Sequence, residues 1–543
     1  MTILCRKLIL GLLCVIAGCL VLSGRSTECS PASAGLAQDK TKPASRGLSA
    51  EEKRGKAFYL RGESSSGKEI TAMVGEIEVP ASTLTCAGCH GARGEGKTEG
   101  GVTAGNLTWS SLTTPYGHAH EGGRKHPAFS EGSFIRMLTT GIEPGGNKAA
   151  VMPVFRMPQA DIANLIAYLK RIEMDSDPGV TDTSIVVGTL LPDNAAPTGL
   201  AQAMNDVLQA FFSEVNGRGG IYNRKVELRV IRGGATSTLA NMKHLIEEDQ
   251  VFAIVSGLTA GADESVAALS QKSEVPFIGP STLILQRSLP LNRYVFYLLP
   301  GLTEQAQALV NFAVKKAEPK KSRVAIISPG GDFNKRIAGS IEDQEKKLGG
   351  NPVTSIYYVR EGFSATQCVA ELKEQGIDTV FFLGSGADAE TLFKGAESAN
   401  WTPAIYLLGA LVGRDITEVV PVKMKDRVFL AFPTIPADVS PEGAAEYREL
   451  LDKNKLAAAH VAAQASAIAA AKILVHGLEL CGKDLSRERL VTTLEGLYEF
   501  DTGLMPRITF GPNRRVGALG AYIVTIDPEK KIFPASAEWI SAD

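Results

Sequence analysis

The sequence predicts a multidomain chain, with a small all-α domain followed by a larger two-lobed α/β unit, and three observations carry that prediction. Cys86-Ala87-Gly88-Cys89-His90 lies among helical patterns near the front of the chain. From Ser184 onward, apolar strands alternate with amphipathic helices to the end, the pattern of parallel sheets covered by helices. That stretch is longer than one core usually holds, so two lobes are expected. Between the two regions, Met174-Asp175-Ser176-Asp177-Pro178-Gly179 is acidic and turn-forming.

In the first region a helix is expected from about Glu51 to Leu60, with Gly55 and Phe58 letting it cross a last helix near Tyr168. The last helix has Pro158 at its first position and Ile162, Leu165, Ile166 and Leu169 on one face. Cys86 and Cys89 are one turn apart, so both can form thioethers to one porphyrin and leave His90 under the iron. A zinc knuckle would need a second Cys/His pair at zinc spacing, and a thioredoxin-like pair would need a surrounding βαβ pattern. Neither is present. The candidate sixth ligand is Met152, in Ala150-Val151-Met152-Pro153-Val154-Phe155. Met157 competes with it. His118, His120 and His126 are further candidates, in a loop where solvated polar residues are expected.

Composition sets the frame. With 44% hydrophobic and 21% charged residues the chain reads as globular, and a formal charge of −2 provides no field for nucleic acid. Arg6-Lys7 followed by an apolar run from Leu8 to about Leu22 reads as an export signal. Ile16-Ala17-Gly18-Cys19 resembles a lipobox, which would make Cys19 a lipidated first residue, and Ala32-Ser33-Ala34 offers a conventional cleavage site instead. Both routes imply a periplasmic or extracytoplasmic protein, anchored to the membrane in the first case.

Residues 47–174 resemble a monohaem class I cytochrome c, with its C-x-x-C-H, its Met-Pro loop and its final Ile-Ala-Tyr-Leu helix. The resemblance implies one covalent haem c held through Cys86 and Cys89, with His90 and Met152 as axial ligands of the iron.

In the second region, strands are expected at Ile185 to Leu191, Val226 to Ile231, Phe252 to Ser256, Val324 to Ser328, Ser355 to Val359, Thr379 to Leu383 and Ile405 to Leu408. The blocks Ile185-Val186-Val187-Gly188-Thr189-Leu190-Leu191-Pro192, Glu214 to Lys225, Leu245 to Val255 and Val275-Pro276-Phe277-Ile278-Gly279-Pro280 resemble type I periplasmic solute-binding proteins of the branched-chain amino acid, leucine-binding class. That family traps a small solute between two lobes at the carboxyl ends of strands. Carried over, the resemblance implies contacts from Thr259, Ala260, Ser281 and Thr282 on the first lobe and from Phe333 and Ser385 on the second. Each of these residues has an equal claim as a helix cap or turn residue. The departures bear on the solute. Leu302 stands where an acidic residue usually meets the ligand's ammonium, and Phe333 aligns with a stacking tyrosine but lacks its hydroxyl. A conventionally recognised α-amino acid is therefore in doubt.

The organisation implied is an export signal at 1–34, a linker at 35–46, the cytochrome c domain at 47–174, a linker at 175–183 and the solute-binding domain at 184–543. Lobe 1 would take about 184–299 and 435–495, and lobe 2 about 300–434 and the C-terminal segment. Cys368 and Cys481 read as structural residues, paired or free, and the alanine-rich stretch from Leu456 to Leu474 reads as a close-packed helix rather than a membrane span. The expected function joins electron transfer to solute binding, without catalysis, since no G-x-S-x-G, H-E-x-x-H or nucleotide loop is present. Expected partners are a small solute, a redox protein, and an ABC permease or periplasmic dehydrogenase. The alternative is an electron-accepting oxidoreductase subunit whose lobes hold a redox-active small molecule.

Overall fold

The computed structural model describes residues 48–543 except 100–101, 120–124, 150, 176, 194–196, 235–236, 260, 288–289, 317–321, 360–362 and 484. The export signal, Cys19, the linker at 35–46, His120 and Ala260 lie outside the described residues.

The first domain runs from α1 (Ala50–Arg61) through β1 (Thr71–Val74), β2 (Ile77–Pro80), α2 (Cys86–His90), β3 (Lys97–Glu99), β4 (Val102–Ala104), α3 (Trp109–Leu112), β5 (His118–Ala119), β6 (Lys125–His126), α4 (Glu131–Thr140) and β7 (Val154–Arg156) to α5 (Gln159–Leu169). Ser49 starts α1 with a capping box to Glu52, and Gly62 ends it in the left-handed region at φ 69°. Helices α1 and α5 cross at Gly55, and burial of Phe58 and Tyr59 there stabilises the pair by about 1.5–3 kcal/mol per ring. Pro158 is the N-cap of α5, one position earlier than the pattern suggests. The helices are joined by a three-stranded antiparallel sheet, β2-β1-β7, and by two short hairpins, β3-β4 and β5-β6. Phe155 of β7 packs edge-on against Phe58 at 5.7 Å and ties the sheet to α1.

Lobe 1 is built on β8 (Ser184–Leu190), α6 (Leu200–Gly217), β9 (Lys225–Ile231), α7 (Thr238–Glu247), β10 (Ala253–Val255), α8 (Asp263–Ser273), β11 (Phe277–Ile278) and β12 (Val295–Phe296). Its strands form a parallel sheet in the order β12-β11-β10-β8-β9. Lobe 2 follows with α9 (Leu302–Lys316), β13 (Val324–Pro329), α10 (Asp332–Lys347), β14 (Thr354–Tyr358), α11 (Ala365–Glu374), β15 (Thr379–Phe382), α12 (Gly386–Ser398), β16 (Ala404–Leu408), α13 (Gly409–Val412), α14 (Ile416–Val419) and β17 (Val428–Phe432). The chain then returns to lobe 1 as α15 (Pro441–Asn454), α16 (Val461–Cys481) and α17 (Arg487–Glu495), and ends in lobe 2 as β18 (Gly520–Thr525) and β19 (Ala537–Ser541). Those two antiparallel strands complete a seven-stranded sheet, β14-β13-β15-β16-β17-β18-β19.

Each expected strand is present, shifted by at most a residue or two at its ends. Residues 497–518 differ from the expected division, because Leu497, Leu504, Ile508 and Phe510 are buried in the core of lobe 1 rather than lobe 2. Helix α16 is long and apolar enough to cross a membrane by length and composition, yet 61% of its apolar window is buried against lobe 1. Cys368 and Cys481 are free and buried in different cores. The lobes are joined by three crossovers, at 297–301, 433–440 and 516–519. The first and third are zipped together by Tyr297 N–H to Arg515 O (2.8 Å) and Gly517 N–H to Tyr297 O (2.8 Å).

Candidate functional site

Helix α2 is a single turn whose start is fixed by Thr85, its hydroxyl accepting from the Gly88 N–H at 3.3 Å. Cys86 is buried, and that burial pushes its thiol up to about 12, while Cys89 is exposed. Gly91 ends the turn at φ 82°, with the Glu95 carboxylate occupying the space where a β-carbon would stand. His90 is 8% exposed, and burial lowers its pKa, which favours the neutral ring. Its Nδ1 lies 2.7 Å from the Gly105 carbonyl oxygen. A carbonyl can only accept, so Nδ1 carries the proton and the Nε2 lone pair is left for a metal. The Tyr59 hydroxyl donates to Gly91 O at 2.6 Å and fastens the turn to α1.

Around this turn the domain core is apolar, with Leu84, Ala87, Leu107, Trp109 and Phe129 packed against it beside Met152 and Met157. Strand β7 separates the two methionines, and both are partly buried. Two thiols, an imidazole with its Nδ1–H committed, two thioethers and aromatic walls fit a haem in their donor set and polarity. The histidines of the β5-β6 hairpin depart from expectation. His118 and His126 are direct cross-strand partners with ring centroids 5.2 Å apart, and His126 is buried against Phe129 rather than solvated. His118 Nε2 approaches Ser111 O at 2.6 Å and His126 Nδ1 approaches Pro127 O at 2.8 Å.

On lobe 1, Thr259 and Ser281 stand at the carboxyl ends of β10 and β11. They are linked by Thr259 N–H and Thr259 Oγ1 to Ser281 O, at 3.4 and 3.3 Å. Thr259 is 2% exposed and its hydroxyl also donates to Asp263, so it braces the start of α8. Ser281 is exposed, while the Thr282 hydroxyl closes a local turn with Ile284. On lobe 2, Phe333 is 41% exposed in the first turn of α10. Ser385 caps α12, where its side chain and that of Asp388 close a capping box, and Asp388 also receives the Tyr358 hydroxyl at 3.0 Å.

Leu302 is fully buried in the core of lobe 2. The nearby acid is Glu304, also buried, whose carboxylate accepts from Gly301 N–H at 3.0 Å and meets Arg287 at 3.4 Å. A cavity of about 670 Å³ borders the second and third crossovers, lined by Asp438, Tyr498, Arg507, Tyr522 and Trp539, and among the described residues none of the expected solute contacts lines it. Sequence reasoning missed Gly105, Asp263 and Glu304, because a backbone acceptor and two helix-start acids have no spacing rule that singles them out.

A C-x-x-C-H turn on a helical domain, joined to two α/β lobes with three crossovers, defines a haem-binding module fused to a bilobal receptor. Residues 184–531, more than half of the chain, match the family described as periplasmic binding protein, and the chain belongs to that family. Residues 66–173 match cytochrome c, so the first domain is a cytochrome c domain and implies haem c. Helix α1 lies outside that match, yet packs as part of the domain. Among curated proteins, Leu/Ile/Val-binding protein homolog 8 of Brucella abortus is 23% identical over 231 residues, covering 41% of this chain and 57% of its own length. The chain thus spans little more than half the length of the curated relatives it matches.

Among solved structures, a branched-chain amino acid ABC transporter from Thermus thermophilus with bound valine aligns at TM-score 0.50 and 15% identity, covering 67% of this chain and 97% of that one. One described as a branched-chain amino acid ABC transporter from Rhodospirillum rubrum aligns at 0.52 and 12%, covering 64% and 99%. These similarities establish the fold of the receptor half, and the family implies an extracytoplasmic location.

Proposed function

We propose that the chain is an exported haem c protein that couples one-electron transfer to capture of a small solute, acting as the binding component for an ABC-type permease or as a redox-linked receptor. The observation that carries the haem half is His90, buried at the end of the C-x-x-C turn with its Nδ1–H committed to Gly105 O at 2.7 Å. Cys86 and Cys89 would hold a porphyrin through thioethers, and His90 and Met152 are the residues that would bind its iron. The bound group supplies one-electron redox chemistry, and a methionine sulfur raises its potential. The chain's own residues orient the imidazole, through Gly105 O on His90 Nδ1, and surround it with apolar side chains.

On the receptor half, the exposure of Ser281 and Phe333 supports them as solute contacts. Thr259, Thr282 and Ser385 shape the loops through the local bonds described above. Burial of Leu302 supports a solute that does not need an acidic partner for an ammonium group.

Two measurements test the reading. Met152→Ala is expected to abolish the thioether–ferric iron absorption and lower the potential, with Met157→Ala leaving both intact; the reverse outcome transfers the ligand role to Met157. A thermal-shift screen of holoprotein against leucine, valine, organic acids, aromatics and alcohols is expected to give a hit in at least one class, and none would overturn the receptor role.

A further inference from the structure

Asp175 and residues 177–183 are bound to both domains rather than strung loosely between them. The Tyr168 hydroxyl donates to Asp175 at 3.0 Å, and Lys56 of α1 pairs with Asp175 at 2.8 Å and Asp177 at 3.5 Å. Asp177 in turn accepts the backbone N–H of Arg487 at 2.6 Å, in the first turn of α17. Gly179 packs so closely on lobe 1 that a β-carbon there would lie 2.4 Å from Phe252 N. The segment's backbone joins β8 and β9 through Val186 N–H to Gly179 O (2.7 Å) and Lys225 N–H to Thr183 O (2.8 Å).

A second set of contacts crosses from α1 directly. Arg61 reaches Glu274 at 3.7 Å and Glu488 at 3.5 Å on lobe 1. Glu488 also holds Arg293 at 2.5 Å, Arg293 meets Glu495 at 3.5 Å, and Glu495 meets Arg515 at 2.5 Å. Most of these side chains are less than one-third exposed, so the ladder is partly desolvated and loses less to screening than a surface pair. It ends on Arg515, whose carbonyl accepts the first crossover's Tyr297 N–H.

We propose that the cytochrome c domain and lobe 1 are one rigid body, locked by the Lys56–Asp175/Asp177 pairs and the Arg61–Glu488–Arg293–Glu495–Arg515 ladder, so that the haem travels with lobe 1. When a solute draws the lobes together, lobe 2 alone changes its distance from the haem. This last step rests on the receptor reading, whereas the rigid docking does not.

The test is pulsed electron paramagnetic resonance on the full chain, with nitroxides carried by ketone-bearing side chains at Ile77 of the cytochrome domain and Leu239 of lobe 1, both exposed. The expected result is one narrow distance in the unaltered chain. That narrow distance is lost in Lys56→Glu/Arg61→Glu and in Glu274→Lys/Glu488→Lys, which break the contact from opposite sides. A broad distribution in the unaltered chain would overturn the proposal, as would an unchanged distance in both variants. The measurement is made on holoprotein whose haem loading is read separately from its absorbance and needs no solute, so failure here is distinct from failure of the haem and receptor assignments.

Discussion

Gly55 of α1 lies under Asn164 of α5 so tightly that a β-carbon built on it would stand 2.0 Å from the Asn164 carbonyl oxygen and 2.7 Å from Tyr168 Cβ. The contact is with backbone, which cannot swing aside. Gly55→Ala is therefore expected to force the helices apart and to cost about 1–3 kcal/mol, read as a lowered Tm of the cytochrome domain.

Ser385 caps α12. Its side chain accepts from Asp388 N–H at 3.3 Å and Asp388 reciprocates at Ser385 N–H, 3.2 Å away. Ser385→Ala should lower stability by about 0.5–2 kcal/mol in the absence of any solute. Chemical denaturation of the solute-free protein checks this, and an unchanged midpoint would remove the cap as the reason for a serine here.

Arg487 is 8% exposed and donates to Phe252 O at 3.0 Å and Val251 O at 2.7 Å. Arg487→Met preserves length but strands two buried carbonyls, each costing about 1–3 kcal/mol. A loss of about 3 kcal/mol or more in denaturant unfolding is expected.

Glu345 is 3% exposed, and burial raises its carboxyl from 4.5 to about 6. Between those values the folded state holds a proton that the unfolded chain has released, so its contribution falls as pH rises through about 6. Glu345→Gln, which cannot ionise, should raise Tm near pH 8 and lose that advantage near about pH 5. Melts at the two pH values decide it.

Much of the architecture was legible because its signals are local. The strands from Ile185 to Leu191 and from Thr379 to Leu383 announce themselves as apolar runs, and the Gly55–Tyr168 crossing follows from one small residue on a helix. Strands β11 and β12 are two residues each, too short for any period, and their place in the sheet comes from tertiary pairing alone. Residues 497–518 lack a regular pattern, so nothing local says that they belong to lobe 1. The C-x-x-C-H turn stands out by its spacing, but the carbonyl that orients His90 lies fifteen residues away on a glycine. Asp175 and Asp177 looked like linker acids because their basic partner, Lys56, is more than a hundred residues earlier in the chain.

The path of the chain bears on the order of assembly. Residues 48–175 meet one another before any later segment is required, whereas lobe 1 waits for α15–α17 and the sheet of lobe 2 waits for β18 and β19. A polypeptide delivered amino end first therefore presents its CXXCH turn as a finished domain while the receptor is still incomplete. A premature stop before Gly520 would therefore leave the first domain whole beside a second lobe whose sheet lacks its last two strands.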